Sequence, residues 1–142
     1  MDLSIFEQEL TRDEGKKYSA YQDSLGFWTI GIGKCIDARR GCKLSDAAID
    51  FIYKESVQGV IGDLNTNLPW WTSLDEVRQR VLANMCFQLG ISKLLGFQRF
   101  LAAMQASNWT VAAREMQNSV WWGQVPARAA RLQQMVLTGE TV

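Results

Sequence analysis

Apolar positions along the chain follow two rhythms. At the start, Leu3, Phe6 and Leu10 recur every three or four residues, which places them on one face of a helix. Ser4 followed by Glu7 has the spacing of a capping box and predicts where that helix begins. Gly15 predicts where it ends. Glu14 continues the same face four residues after Leu10, so a carboxylate is expected at the C-terminal end of an apolar stripe. From Tyr18 to Gly33 the rhythm changes. Tyr18, Tyr21, Phe27, Trp28, Thr29, Ile30 and Ile32 are strand formers. Asp23-Ser24-Leu25-Gly26 supplies a turn between two short strands, and Gly31 and Gly33 mark bends or close backbone approach. The residues up to Leu44 complete a small β-region.

Helical spacing returns at Ser45 and persists to the end. Ser45 and Asp46 open a helix whose apolar face is Ile49, Ile52, Val57, Val60, Ile61 and Leu64. Gly59 and Gly62 are its weak points, and Asn67-Leu68-Pro69 breaks it. Ser73 and Glu76 form a second capping box. The helix they predict carries Val77, Val81, Met85 and Leu89 on one face, ends at Gly90, and reads as the central core helix. Further helices are expected over Ser92–Gln105, Trp109–Gln117 and Ala127–Thr138, with Pro126 suited to a helix start. The expected fold class is α+β, mostly α. A β-lobe at roughly 16–44 is expected between a first helix (1–15) and the rest of a helical lobe (45–142), in one domain.

Composition adds constraints. The 142 residues are 47% apolar and 21% charged, enough for one domain with a true core. Residues 1–71 carry 11 acidic and 8 basic side chains, and residues 72–142 carry 4 and 7. A mildly positive second half suits an anionic polymer, but no dense basic patch or binding motif points to nucleic acid. Histidine is absent, which removes the commonest metal ligand and general base. No metal or cofactor is expected, and acid–base chemistry near neutral pH falls to carboxylates, lysine or cysteine. Cys35 and Cys42 flank Ile-Asp-Ala-Arg-Arg-Gly at a spacing that matches no CxxC motif. Free thiols and a disulfide both remain open, the latter contributing roughly 2–3 kcal/mol. Cys86 is expected to be a buried thiol. Met1–Glu9 has no basic region of the kind that opens a secretory signal, and Val81–Phe97 is interrupted by Asn84, Gln88, Ser92 and Lys93, against a membrane span. Synthesis as a soluble cytoplasmic protein without a signal peptide is the expectation.

The candidate chemistry lies in the first thirty residues. A helix C-terminus and apolar neighbours both disfavour a charged Glu14, so its pKa is expected to be raised, as suits a general acid. Asp23, in a polar turn, is expected to stay ionised. One protonated and one charged carboxyl is the division of labour in glycoside hydrolysis. Thr29, on the returning strand, can hold a water or a sugar group. Two acids and a threonine so close together are common in proteins of every function, so the trio by itself carries little.

Three stretches carry more. Glu14-Gly15, Tyr21-Gln22-Asp23 and Gly26-Phe27-Trp28-Thr29-Ile30-Gly31-Ile32-Gly33 resemble the signature of the phage lysozyme family, including its Glu-to-Asp and Asp-to-Thr spacings. Asn84-Met85-Cys86-Phe87-Gln88-Leu89-Gly90 resembles that family's central helix, and the stretch from Trp121 to Arg131 its C-terminal segment. The resemblance covers nearly the whole chain in the same order. It implies a lysozyme-like fold with a cleft between β-lobe and helical lobe. It also implies hydrolysis of the β-1,4 bond between N-acetylmuramic acid and N-acetylglucosamine in peptidoglycan. By position, Glu14 would protonate the glycosidic oxygen, while Asp23 and Thr29 would position the attacking water or stabilise charge at the anomeric carbon. Inversion, attributed to the family, implies carboxyls about 6.5–9.5 Å apart. Arg128 would lie near Glu14, and Arg131 would pair with Asp13 as scaffold. Gln88, Phe87 and Trp121 are candidates to line the cleft, with Phe87 and Trp121 equally readable as core. A bacteriophage endolysin is implied: a monomeric, bacteriolytic enzyme of host-cell lysis that reaches periplasmic peptidoglycan through a holin-type membrane permeabiliser. The alternatives are an inactive lysozyme-like wall-binding protein and a lytic transglycosylase. The intact trio argues against the first, and Asp23 with Thr29 argues against the second.

The chain departs from the family pattern in two places. Lys34 stands where the family has histidine, and the aligned partner position is Ser56, next to Glu55. A Lys34–Glu55 contact would contribute only ~0–1 kcal/mol if exposed, so an effect on the scaffold rather than on chemistry is expected. Few residues separate Gly33 from the helix at Ser45, which implies a short β-lobe and a more open cleft wall.

Overall fold

The computed structural model describes residues 1–142 and divides into two compact units, Met1–Phe51 and Ile52–Val142. The fold is mostly α with one small antiparallel sheet, as expected.

The first unit opens with α1 (Leu3–Glu14) and a three-stranded sheet in the order β1 (Lys17–Gln22), β2 (Trp28–Gly31) and β3 (Lys34–Cys35). Tyr21 pairs with Thr29 and Gln22 with Trp28, and the register shifts between Lys17 and Tyr21. The first capping box does not form. Asp2 takes the cap instead, its Oδ1 accepting from the N–H groups of Ser4 at 2.9 Å and Ile5 at 3.2 Å. Aspartate caps as well as serine does, so Asp2 is able to start the helix ahead of Ser4. The expected burial of Leu3, Phe6 and Leu10 is not found either. α1 buries no side chain, because three short strands offer too little apolar surface to cover a twelve-residue helix. Beyond β3 a 3₁₀ turn, Ala38–Arg40, lies inside a disulfide between Cys35 and Cys42 (Cα–Cα 5.9 Å), which decides between the two readings of these cysteines.

α2 (Asp46–Asn67) begins in the first unit and continues into the second. Ser45 caps it, its Oγ accepting from Ala48 N–H. The helix runs unbroken through Gly59 and Gly62. Of its expected apolar face only Leu64 is fully buried, Val60 and Ile61 are half-buried, and Ile49 and Ile52 are exposed.

The second unit holds the core. After a 3₁₀ turn, Pro69–Ser73, come α3 (Glu76–Leu89), α4 (Ile91–Leu95), α5 (Gln98–Gln105), α6 (Trp109–Gln117), α7 (Val120–Gln124) and α8 (Pro126–Thr138). α3 is the expected central helix, with Val81, Leu82 and Met85 fully buried. Phe100 and Met104 of α5, Ala112 and Met116 of α6, and Ala129 and Val136 of α8 complete the core. Cys86 is buried, and that burial, assisted by Asp63, pushes its thiol up. The second capping box is also replaced. Asp75 caps α3, while Ser73 closes the 3₁₀ turn by donating to the Trp70 carbonyl. The long helix expected over Ser92–Gln105 is two, separated at Gly96-Phe97, where a Cβ on residue 96 would stand 3.1 Å from the Lys93 carbonyl. α7 is an element the periodicity did not predict. No helix is long and apolar enough to cross a membrane.

Arg78, at the start of α3, ties that end to the end of α8. Its Nε donates to Val136 O at 2.8 Å, Nη2 to Leu137 O at 3.3 Å and Nη1 to Asp75 at 2.8 Å. The guanidinium lies over the Trp109 ring at 4.0 Å. Gly139 closes α8 at φ +71°, and a Cβ there would come within 2.6 Å of Nη1. Glycine therefore serves both the left-handed helix end and the packing of the arginine.

Candidate active site

Glu14 is the last residue of α1 and is exposed. Gly15 then turns the chain at φ 72°, its N–H satisfying the Thr11 carbonyl. The carboxylate comes to rest on the backbone that follows β2. A Cβ placed on Gly33 would stand 3.0 Å from Oε2 and 3.2 Å from Cδ and Cγ of Glu14. Gly33 has φ +69°, which side-chain-bearing residues avoid. It thus provides both the bend and the space in which Glu14 lies.

At the opposite end of the β1–β2 hairpin, Asp23 builds the turn. Its Oδ1 accepts from the N–H groups of Leu25 and Phe27, each at 2.9 Å, and its own N–H donates to the Phe27 carbonyl. One oxygen is thereby fixed, and Oδ2 is the oxygen left for chemistry. Thr29, on β2, is buried, and its hydroxyl donates to the Phe27 carbonyl at 3.2 Å. The hydroxyl oxygen retains acceptor lone pairs. Asp23 and Thr29 thus belong to the β1–β2 hairpin, and Glu14 to the helix end that meets the following β2–β3 turn at Gly33.

The disulfide-closed loop supplies residues that sequence reasoning missed. Asp37 is buried and accepts five hydrogen bonds: from Trp28 N–H at 3.0 Å, from Arg39 N–H at 2.9 Å, and three from the Arg39 guanidinium, the closest at 2.6 Å. The hydrogen bonds from the Arg39 side chain and then from the Trp28 backbone hold its carboxyl well below the usual carboxylate range. Arg39 also donates to the Gly26 carbonyl at 2.8 Å. This clamp joins the loop to the Gly26–Trp28 side of the Asp23 turn. Its only sequence signal was an aspartate two residues before an arginine at a turn, which is the pattern of a capped 3₁₀ turn.

Asp37 should make this unit acid-sensitive. Its folded pKa lies below the unfolded value near ~3.9, so the stability it contributes is complete above that value and is lost as pH falls through and below it. Thermal melting between pH 7 and 2 is expected to show a shallower acid decline for Asp37→Asn than for the parent, from a lower starting Tm. Parallel profiles would remove the clamp from the stability account.

The remaining expected site residues lie in the second unit. Phe87 is exposed and Arg128 half-buried, and both line a cavity of 580 Å³ with Tyr53, Trp71 and Asn84. Trp121 is core rather than surface. Its Nε1 donates to Gln88 at 3.1 Å, and its ring stands edge-on to Phe97 at 6.2 Å. Asp13 pairs with the neighbouring Arg12 at 2.9 Å. No cluster of residues suited to a metal ion occurs in the chain.

The Gly33 contact yields a paired test. Gly33→Ala is expected to lose roughly 1–2 kcal/mol from the left-handed backbone alone and also to displace Glu14. Gly31→Ala carries the same backbone strain (φ +66°) with nothing within 4 Å of its Cβ. Any catalytic rate that depends on Glu14 should fall about a hundredfold in the first and little in the second. Equal rate losses at equal melting temperatures would show that the glycine serves the backbone only.

A family model described as phage lysozyme matches residues 11–134. Among curated relatives, "Probable T4-type lysozyme 1" of Dictyostelium discoideum is 26% identical, the match covering 96% of each chain. "Probable T4-type lysozyme 2" of the same organism is 27% identical, with the same coverage. The "Pre-baseplate central spike protein Gp5" of Enterobacteria phage T4 is 28% identical over 92% of this chain, which corresponds to 27% of that larger protein.

Proposed function

Because the chain belongs to the phage lysozyme family, we propose that it is a muramidase. It hydrolyses the β-1,4 bond between N-acetylmuramic acid and N-acetylglucosamine in bacterial peptidoglycan. The observation that supports this reading is the approach of Glu14 to Gly33, in the turn between β2 and β3 of the same sheet whose β1–β2 hairpin carries Asp23 and Thr29.

Glu14 gives its proton to the glycosidic oxygen as the bond to the anomeric carbon breaks, and the leaving sugar departs with a free hydroxyl. Water adds to the anomeric carbon from the opposite face, and its proton passes to Oδ2 of Asp23. The Thr29 oxygen accepts a hydrogen bond from that water. Exchange with solvent returns the proton to Glu14. Because water attacks directly, configuration inverts. Phe87 and Arg128 line the second unit's own cavity, an aromatic face and a cation suited to a sugar, while Gln88 and Trp121 act as scaffold within that unit. The chain works as a monomer in lysis of a bacterial host and reaches the periplasmic wall through a membrane permeabiliser.

Mass analysis of fragments released from purified sacculi tests the reading. Reducing N-acetylmuramic acid ends bearing one solvent oxygen are expected. Anhydro-muramic ends would make the protein a transglycosylase, and an absence of released fragments would overturn the assignment.

A further inference from the structure

The disulfide-closed loop holds two adjacent arginines in different situations. Residues 34–43 carry four basic side chains, Lys34, Arg39, Arg40 and Lys43, against the single acid Asp37. Arg39 is spent within the fold, on Asp37 and the Gly26 carbonyl. Arg40 is not. Its guanidinium is about half exposed, meets Asp23 Oδ2 only at 3.8 Å, beyond hydrogen-bonding distance, and lies over the Phe27 ring at 5.3 Å. Asp23 cannot turn to chelate it, because Oδ1 is held by Leu25 and Phe27 N–H groups. The backbone beneath Arg40 is fixed by the Cys35–Cys42 bridge and by the Asp37 hydrogen bonds. A guanidinium with free donors, held over an aromatic ring on a fixed loop, is pre-organised for a planar anion.

We infer that Arg40 is a specificity residue that binds a carboxylate of the substrate beside Asp23. This inference rests on the proposed muramidase reading. In a peptidoglycan strand the glycan backbone is neutral, and the anionic groups are the free carboxylates of the peptide stems on muramic acid. Arg40 therefore selects strands whose stems near the scissile bond carry a free carboxylate over strands in which it is amidated. A charge-assisted bidentate bond of this kind corresponds to about a tenfold effect on binding.

The test compares wild type, Arg40→Gln and Arg40→Lys on native sacculi and on sacculi whose carboxylates have been converted to amides with carbodiimide and ammonia. On native sacculi, Arg40→Gln is expected to raise KM about tenfold with little change in kcat, and Arg40→Lys to recover part of it. On amidated sacculi the three proteins should converge. A loss of the same size on both substrates, or a fall in kcat at constant KM, would overturn the inference and assign Arg40 to the fold or to Asp23. A second arm does not depend on turnover. Soluble disaccharide-peptide, native or amidated, is titrated against Glu14→Gln with and without Arg40→Gln. Tighter binding of the native form only when Arg40 is present supports the inference, and equal binding overturns it. If wild type cleaves neither kind of sacculus while this carboxylate preference persists, the muramidase reading fails and the Arg40 site stands.

Discussion

Replacing Glu14 with glutamine is expected to lower glycan cleavage by about 10³-fold while leaving the fold intact. The substitution keeps size and hydrogen-bonding capacity but cannot release a proton to the departing oxygen. Glu14 is exposed and forms no hydrogen bond that holds the hairpin together, so melting temperature should hardly move. The measurement is fragment release from sacculi beside thermal melting of the same preparations. A variant that keeps its rate would remove Glu14 from the chemistry. One that loses rate and stability together would make Glu14 structural. The Gly33→Ala and Gly31→Ala pair adds a separate axis, since it moves the carboxylate without changing its chemistry.

The largest stability effect is expected at Arg78. Arg78→Met leaves the Val136 and Leu137 carbonyls without their donor at the end of α8, removes the cation from the Trp109 face and strips Asp75 of its partner. Together these losses should cost about 3 kcal/mol, and a chain of this size should melt roughly 6–12 °C lower. Gly139 makes the test sharper. Gly139→Ala alone suffers the left-handed backbone and a guanidinium nitrogen 2.6 Å from its Cβ. With Arg78 shortened to methionine, the collision is gone and only the backbone cost remains. The double variant should therefore be more stable than the sum of the singles implies, and strict additivity would refute the packing account. Arg78 also governs Asp75. Burial pushes that carboxyl up, but hydrogen bonds from the Arg78 side chain and N–H, with its charge, outweigh burial and bring it below its ordinary value. Stability from this pair is present above the unfolded carboxylate pKa and lost on acidification, a loss that Arg78→Met should blunt.

Much of this molecule could be read from its residues, and the failures have physical causes. The helix over Trp109–Gln117 matches its expected bounds because its apolar spacing is strong and Asn108, its cap, stands immediately before the first apolar residue. Both capping boxes misplaced a helix start for one reason. An aspartate stood two residues from the serine, Asp2 before Ser4 and Asp75 after Ser73, and intrinsic preference does not separate the two. The break at Gly96 was missed because a single glycine in an apolar run is usually tolerated. Glu14, Asp23 and Thr29 could be singled out because their spacing matches a family signature. The Asp37–Arg39 clamp could not, since its meaning depends on Trp28 N–H and the Gly26 carbonyl arriving from another part of the chain.

Trp28 gives the hairpin an optical reporter. It is the only tryptophan in Met1–Phe51, it is 46% exposed, and its N–H is the one Asp37 accepts. Trp71 and Trp121, by contrast, are buried in the second unit. Trp28 is therefore the indole of the strand that carries Thr29 and the one through which red-edge emission and acrylamide quenching report on it, beside the half-buried Trp70, Trp109 and Trp122 of the second unit. A glycan resting on that strand would register as a blue shift and as protection from the quencher, and Trp28→Phe would identify the part of the signal that belongs to the hairpin rather than to those three half-buried indoles.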